Sequence, residues 1–307
     1  MGRNLLVIIN ARGGKTIARR VSRVVAGILG RAGLRHQILV PASVRRVRRI
    51  AAGAAKRGFT EIVCAGGDGT LSLVAQAMQA DPLPLSLVPR GTGNVLAKYL
   101  GIPLRLRPAL ELVVGEASPV ELDAIVREDG LSVLNLSIGL SSLTMSDVDT
   151  GTKRVFGTAT YFFGVLLYLI RRNPAKFRVV ADGHEYRVRG REVLIANAGF
   201  RRTAIETFFA DSRPDDGVIE CSIFLAGGLS GAFAMLADVL AGRPVRSRRY
   251  LKRILVRETI SIESDPPLPV QADGDPVGFG ATSAGVRRRA LAVRAPAGGA
   301  YSGSRQL

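Results

Sequence analysis

The sequence predicts a chain of two domains. The first is an α/β N-terminal domain, a parallel sheet with helices on both faces. The second is a mainly antiparallel, β-sandwich-like C-terminal domain. Three observations predict this. Over the first 120 residues short apolar runs alternate with stretches of helical spacing. Three glycine-bearing turns, NARGGK, GGDGT and PRGTGN, each follow the end of an apolar run in that half. After Val120 the runs alternate in period two and are separated by turns such as EDG, ADGH, PDDG and DPP.

In chain order, LLVIIN (5–10) reads as the first strand and 17–30 as its helix. HQILVP is the second strand, and VRRVRRIAAGAAKRG a helix with one arginine-rich face. EIVCA is the third strand, with LSLVAQAMQ as its helix, and LPLSLVP the fourth, with a helix from about Thr92 to Leu100. Short links between such units demand parallel strands, whose ligands bind at the carboxyl ends. All three glycine turns fall at that edge. Beyond Val120, strands are expected over 120–127, 131–137, 176–181, 185–189, 191–198, 218–224, 254–263 and 286–294, with helices near 155–171 and 229–241. The domains are expected over 1–122 and 123–295, the last strand being free to return to the first domain, with a loose tail over 296–307.

Composition narrows the partners. The net charge of +18 comes mainly from arginine and favours an anionic partner: nucleic acid, an anionic membrane face or a phosphorylated substrate. No zinc pattern, RNA-binding aromatic motif or basic helix with heptads accompanies it, so no nucleic-acid partner is expected. Cys64 and Cys221 sit in apolar runs as buried thiols, which suits a reducing cytoplasm. The longest apolar run, 155–170, has 16 residues and falls short of the roughly 20 that a spanning helix needs. RNLLVIIN is too short for a signal-peptide core. The expected location is cytoplasmic, peripheral at the inner face of the membrane.

The turns suggest the chemistry. Glycine allows a ligand to approach a backbone closely, and a helix start offers unpaired N–H groups and a positive dipole end. Gly66, Gly67, Gly69 and Thr70 therefore frame an anion site, in which Asp68 calls for a cation such as Mg²⁺. Pro89 stops a strand before Gly91, Thr92, Gly93 and Asn94, which suit phosphate or ribose contacts at a second helix start. Asn10 closes the first strand at the same edge. Each turn taken singly also fits a plain tight turn with a solvated or capping polar group. Neither GxGxxG nor GxxxxGK[ST] follows a strand, which excludes the dinucleotide and P-loop fingerprints.

GGDGT followed by PRGTGN, after an opening strand ending N-x-x-x-G, resembles the diacylglycerol kinase catalytic domain family, which includes bacterial lipid kinases and sphingosine kinases. Asp123 in VELDAIV, RPDDGVIE (213–220) and VQADGDPVG (270–278) are similar to that family's later motifs. The resemblance implies an ATP-dependent kinase acting on the hydroxyl of a membrane lipid, most simply diacylglycerol giving phosphatidic acid. It implies ATP held by Asn10, Gly66, Gly67, Asp68, Gly69, Thr70, Gly91, Thr92 and Asn94, with Asp68 acting through Mg²⁺. It also implies Asp273 as general base, and a structural Mg²⁺ on Asp216 with the carbonyls of Arg213 and Val218. Peripheral contact with an anionic membrane surface and a homodimer accompany it as expectations. The chain departs from the family pattern at Ser72-Leu73, at Pro41, in FRRTAIETFFADS and at Asp275. Two other readings stand beside it: an NAD kinase, which shares GGDGT, and a catalytically weak nucleotide-binding protein of the membrane surface.

Overall fold

In a computed structural model, residues 2–10, 14–115, 117–139, 173–197, 212–225 and 251–297 are described. The chain divides into two compact units: Met1–Asp123 with Arg288–Leu307, and Ala124–Arg287. The helices expected near 155–171 and 229–241 lie outside the described residues, as does the tail from 298. No helix among the described residues is long and apolar enough to cross a membrane.

The first unit runs β1 (Asn4–Ile9), α1 (Lys15–Arg31), β2 (Arg35–Leu39), α2 (Val44–Ala52), β3 (Glu61–Gly66), α3 (Asp68–Ala77), β4 (Leu85–Pro89), α4 (Val95–Tyr99) and α5 (Leu106–Val114). Its strands lie in the order β4-β3-β1-β2, all parallel. β3 and β4 are buried at every position, as strands covered on both faces must be, whereas β2 at the edge is half exposed. Successive side chains of β1 point to opposite faces. Leu5, Val7 and Ile9 join Ala18, Val21, Val25 and Leu29 of α1 and Ala109, Leu110 and Val113 of α5 in one core. The spacing of those α1 residues is that of one helical stripe. α3 starts earlier than the apolar pattern indicates, so that Asp68 is its first residue. α5 was not expected. Its buried residues keep helical spacing, and Pro108 stands in the first turn, where its missing N–H removes no helical bond.

The second unit continues β5 (Pro119–Arg127), which starts in the first, with β6 (Gly130–Ser132), β7 (Asn135–Gly139), β8 (Ala175–Ala181) and β9 (His184–Ala196). β10 (Ile219–Leu225), β11 (Leu251–Val256), β12 (Thr259–Asp265), β13 (Pro269–Ala272), β14 (Asp275–Phe279) and β15 (Ala281–Arg294) complete it. The order β14-β13-β7-β9-β8-β12-β15 is antiparallel throughout, with β10 bridging β9 and β11. β8 alternates buried and exposed residues, burying Ala175, Phe177, Val179 and Ala181 in the unit's core. β15 pairs with β12 over Ala281–Gly285, then leaves the unit, and Val293 pairs in parallel with Leu85 of β4.

Two strands expected as continuous are broken, and one device breaks both. The β8–β9 hairpin turns through Asp182-Gly183 and the β13–β14 hairpin through Asp273-Gly274. All four residues have positive φ (46°, 82°, 49° and 92°), as a two-residue turn that matches strand twist requires. The Asp182 carboxylate accepts from the backbone N–H groups of Arg257, Glu258 and Thr259. Those amides leave the ladder, and the expected strand 254–263 becomes β11 and β12. Asp273 does the same to Val133, Leu134 and Asn135, splitting 131–137 into β6 and β7. Conversely, 185–189 and 191–198 fuse into one strand. Gly190 stays inside it because a Cβ there would stand 2.7 Å from the Phe224 carbonyl oxygen.

Glu61 fixes the return of β15. It is 1% exposed at the start of β3, and its carboxylate accepts from Arg3 (2.9 Å), Ser86 (2.5 Å) and Arg294 of β15 (2.9 Å). Arg3 also donates to the Val113 carbonyl and Arg294 to that of Ala117. Removing the anion leaves two arginines facing each other without a counter-charge. Both keep some solvent, which limits the cost. Glu61→Gln should lower stability by about 2–3 kcal/mol in urea titration, whereas Glu185→Gln on the exposed face of β9 should change it by less than about 0.5 kcal/mol.

Candidate functional site: the glycine turns and the aspartates

At the carboxyl end of the first unit's strands, two of the predicted turns are packed against each other. A Cβ on Gly91 would stand 2.6 Å from the α-carbon of Gly67, and one on Gly67 would stand 2.8 Å from that of Gly91. Arg90 N–H donates to the Gly66 carbonyl at 2.8 Å, tying the turns by backbone. Asn94 at φ 47° closes its own loop, its Oδ1 accepting from Gly91 N–H (2.9 Å) and its Nδ2 donating to the Gly91 carbonyl (2.7 Å). Asp68 links the two. Its Oδ1 accepts from Val95 N–H at 2.8 Å at the start of α4, and its Oδ2 lies where a Gly93 Cβ would come within 2.8 Å.

Asn10 and Thr70 complete this edge. Asn10 Nδ2 donates to Thr70 Oγ1 at 2.6 Å, and its N–H donates to Ala65. Gly66 has no Cβ because Thr70 fills the space, at 2.6 Å. Thr92 is exposed. The close-approach argument therefore separates the glycines. Gly66, Gly67, Gly91 and Gly93 are needed by the fold itself. Gly69 is exposed in the first turn of α3, and nothing lies within 4 Å of where its Cβ would stand. Within GGDGT and PRGTGN, Gly69 is the glycine with no packing reason to lack a side chain.

Burial raises the Asp68 carboxyl above its ordinary range, and the amides of Val95, Asn94 and Leu96 offset only part of that. Cys64 behind it is pushed up to about 12, first by burial and then by the Asp68 charge, and burial with Glu220 does the same to Cys221. Both thiols are buried and inert.

The second unit holds the other predicted residues. Asp273 bonds Val133 N–H at 2.8 Å and Leu134 and Asn135 N–H at 2.9 Å, and its own N–H donates to the Asn135 carbonyl. Asp182 repeats this arrangement in an exposed hairpin, where slight desolvation is outweighed by the Arg257, Thr259 and Glu258 amides and its carboxyl is held below the ordinary range. In the loop before β10, Asp216 Oδ1 accepts from Val218 N–H at 3.0 Å, and Arg213 Nε contacts Asp215 at 3.4 Å. Asp123 is buried, its Oδ1 accepting from Arg289 N–H. Among the departures, Ser72 and Pro41 are buried and Asp275 is exposed, while FRRTAIETFFADS up to residue 211 lies outside the described residues.

No group of three or more His, Cys, Asp or Glu side chains able to hold a metal occurs among the described residues. Both implied Mg²⁺ sites would then rest on one carboxylate each. That suits a hard cation that completes its shell with carbonyls, waters or phosphate oxygens. Asp68 fits such a role in its chemistry, and Gly93 spares its Oδ2 a Cβ that would stand 2.8 Å away. Asp216 with the Arg213 and Val218 carbonyls offers an all-oxygen donor set on one short loop.

A parallel α/β unit with paired glycine turns, followed by an antiparallel sandwich, defines a two-domain phosphotransferase class. The family model for the "Diacylglycerol kinase catalytic domain" matches residues 4–124, and that for the "YegS C-terminal NAD kinase beta sandwich-like domain" matches 135–295. A protein named "Probable lipid kinase YegS-like" from Pseudomonas putida is 27% identical over 97% of both chains. One of the same name from Stenotrophomonas maltophilia is 30% identical over 75% of this chain and 76% of its own. The crystal structure of a diacylglycerol kinase from Bacillus anthracis str. Sterne superposes with a TM-score of 0.73 over 96% of this chain and 98% of that one, at 15% identity, a likeness of fold. The chain belongs to the diacylglycerol-kinase-like lipid kinase family, in its YegS-like group.

The division among the glycines is testable by a pair of variants. Gly69→Ala adds a methyl to open space and improves helix propensity by about 0.5–1 kcal/mol, so stability should hold or rise while calorimetry shows Mg²⁺·ATP affinity falling at least about tenfold. Gly91→Ala should instead cost about 1–3 kcal/mol of stability through overpacking against Gly67.

Proposed function

We propose that this lipid kinase transfers the γ-phosphate of ATP, as its Mg²⁺ complex, to the hydroxyl of diacylglycerol, giving phosphatidic acid at the inner face of the cytoplasmic membrane. The observation that carries the nucleotide half is Gly69, bare toward open space on the first turn of α3 beside the Asp68 carboxylate. Phosphoryl transfer asks mainly for positioning and charge neutralisation. α3 and the GTGN turn bring backbone N–H groups and a helix dipole to the phosphates. Asp68 is pre-aimed by the Val95 amide, and the Asn10–Thr70 bond fixes the floor beneath it. Mg²⁺, when bound, would neutralise phosphate charge next to Asp68. The acceptor lipid is supported by the names of the relatives and by the diacylglycerol kinase model that matches residues 4–124.

Two carboxylates can receive the acceptor proton. The resemblance points to Asp273. Burial raises the Asp68 carboxyl, but beside Mg²⁺ a carboxylate loses that basicity, so its part is to hold the metal and Asp273 is the proposed base. The three amides on Asp273 give that residue a further role, anchoring the turn between β6 and β7.

Incubation with labelled ATP, Mg²⁺ and diacylglycerol micelles, with NAD as the alternative acceptor, tests the reaction. Labelled phosphatidic acid is expected; labelled NADP, or no product, would overturn the proposal. Asp68→Asn should abolish turnover without loss of stability. A folded-state pKa above the unfolded one favours the protonated form, so that contribution is complete below the unfolded value and lost as pH rises through the folded one. At pH 7 the ionised wild type carries the cost of burial and the Asn variant does not. Urea titration should show Asp68→Asn at least as stable as wild type at pH 7, with its advantage shrinking toward pH 3.

The twin aspartates separate anchoring from catalysis. Asp273→Asn and Asp182→Asn should each lose about 1–3 kcal/mol of stability, because an amide group must turn its NH₂ away from donors that faced a carboxylate. Under conditions where both variants are fully folded, Asp182→Asn should keep wild-type turnover. If Asp273→Asn then loses kcat with unchanged ATP affinity, the residue acts on the acceptor; turnover equal to that of Asp182→Asn assigns it to anchoring alone.

A further inference from the structure

Residues 1–60 contain 14 Lys and Arg and not one Asp or Glu, so this stretch alone carries most of the net charge of +18. The fold gathers much of it around the free edge of the first unit's sheet. β2 is the edge strand, α1 leads into it and α2 out of it. Arg19, Arg20 and Arg23 on α1 and Arg45, Arg46, Arg48 and Arg49 on α2 are exposed. No ion pair joins any of these arginines to another described residue. Neither helix carries an acidic residue in its first turn. A solvated surface built for stability alternates charge signs; this one does not.

The second observation is apolar. Only a few large hydrophobic side chains are exposed among the described residues, and three of them, Ile17 (47%), Val40 (43%) and Val44 (59%), belong to this region. β1 and β2 end side by side, with Ile8 paired to Leu39. Val40 follows β2 directly, Val44 opens α2, and Ile17 lies in the first turn of α1. The topology therefore sets three bare aliphatic groups at one sheet edge, with arginines on the helices running back from it. The aliphatic groups lie at the carboxyl ends of β1 and β2, the same end of the sheet at which the glycine turns close β3 and β4.

We infer that this edge, Ile17, Val40 and Val44 with the arginines of α1 and α2, is the surface by which the enzyme docks on an anionic lipid bilayer. Lipid phosphates and carboxylates neutralise the arginines, and the aliphatic tips enter the interface, the combination that peripheral amphipathic surfaces use. Nucleic acid would also answer the charge. It is disfavoured because aliphatic tips offer bases neither stacking faces nor hydrogen bonds, and Phe59, the aromatic of this stretch, is buried. The alternative basic segment, 243–253, falls mostly outside the described residues. In its described part Leu251 is buried in β11, Lys252 stacks on Tyr186 and Arg253 pairs with Glu220. The inference rests on the lipid-kinase reading only for the reason to dock.

The test uses the full chain and sedimentation with vesicles of phosphatidylcholine alone or with phosphatidylglycerol. Wild type should bind only the anionic vesicles and lose at least tenfold in affinity between 0.1 M and 0.5 M salt, as screening shortens the Debye length. The quadruple variant Arg45→Gln/Arg46→Gln/Arg48→Gln/Arg49→Gln, and separately Ile17→Ser/Val44→Ser, should each bind at least tenfold more weakly. Both should phosphorylate a water-soluble short-chain diacylglycerol at the wild-type rate. Equal sedimentation of wild type and variants, or no preference of wild type for anionic vesicles, would overturn the inference, as would tighter binding of duplex DNA through the same arginines. Vesicle binding lost in the variants, with no turnover of the short-chain lipid by wild type, would uphold the docking surface and remove the substrate reading instead.

Discussion

The contact between Gly67 and Gly91 is the constraint from which the carboxyl end of the first unit's sheet follows. Two turns from different strand–helix units can touch through α-carbons only if neither carries a side chain. Once they touch, Asp68 reaches the amide of Val95, and α4 starts where that carboxylate can cap it. The arrangement holds a buried acid in place by amides that only partly offset its desolvation. That is an unfavourable setting for a residue that served the fold alone. Carboxylates perturbed in this way cluster at functional sites.

The second unit is organised by a different carboxylate device, used twice. In each instance an Ala-Asp-Gly turn places an aspartate in the left-handed region, and its carboxylate gathers three consecutive amides from a neighbouring strand connection. The device satisfies N–H groups that would otherwise leave the ladder unpaired, and it fixes where each strand ends. One copy sits in an exposed hairpin and the other in the motif that the family shares. Similar geometry at two places with different surroundings shows that the anchoring is a property of the turn. Chemistry at Asp273 would be an addition to it.

Much of this was legible in the sequence, and the losses have physical causes. β1, β3 and β4 were readable because strands buried on both faces give unbroken apolar runs, and the glycine turns were readable because each follows such a run. The breaks at 133–134 and 257–258 were not, because the aspartates that cause them lie 75 to 140 residues away along the chain. α5 had its helical period in Leu106, Ala109, Leu110 and Val113, but Pro108 and Gly101 obscured it. At the candidate site the residue types were right, and the distribution of their roles was hidden. Which glycine is bare for a ligand and which for another glycine depends on α-carbon distances that no spacing rule encodes.

The placement of charge joins these threads. A strongly basic unit raises the local concentration of anions around it, ATP among them. In this unit the acids Glu61 and Asp68 are spent at opposite ends of β3, one locked among Arg3, Arg294 and Ser86 and the other held in the turn at the edge. Glu61 neutralises the arginines that fasten β15, so the return of the chain adds no uncompensated charge to the core. The exposed arginines of α1 and α2 have no such partner among the described residues. A unit that balances its interior charges closely, and leaves its surface charges unbalanced on one edge, confines attraction to that edge. The glycine turns close β3 and β4 at the carboxyl end of the same sheet, where Gly69 is bare.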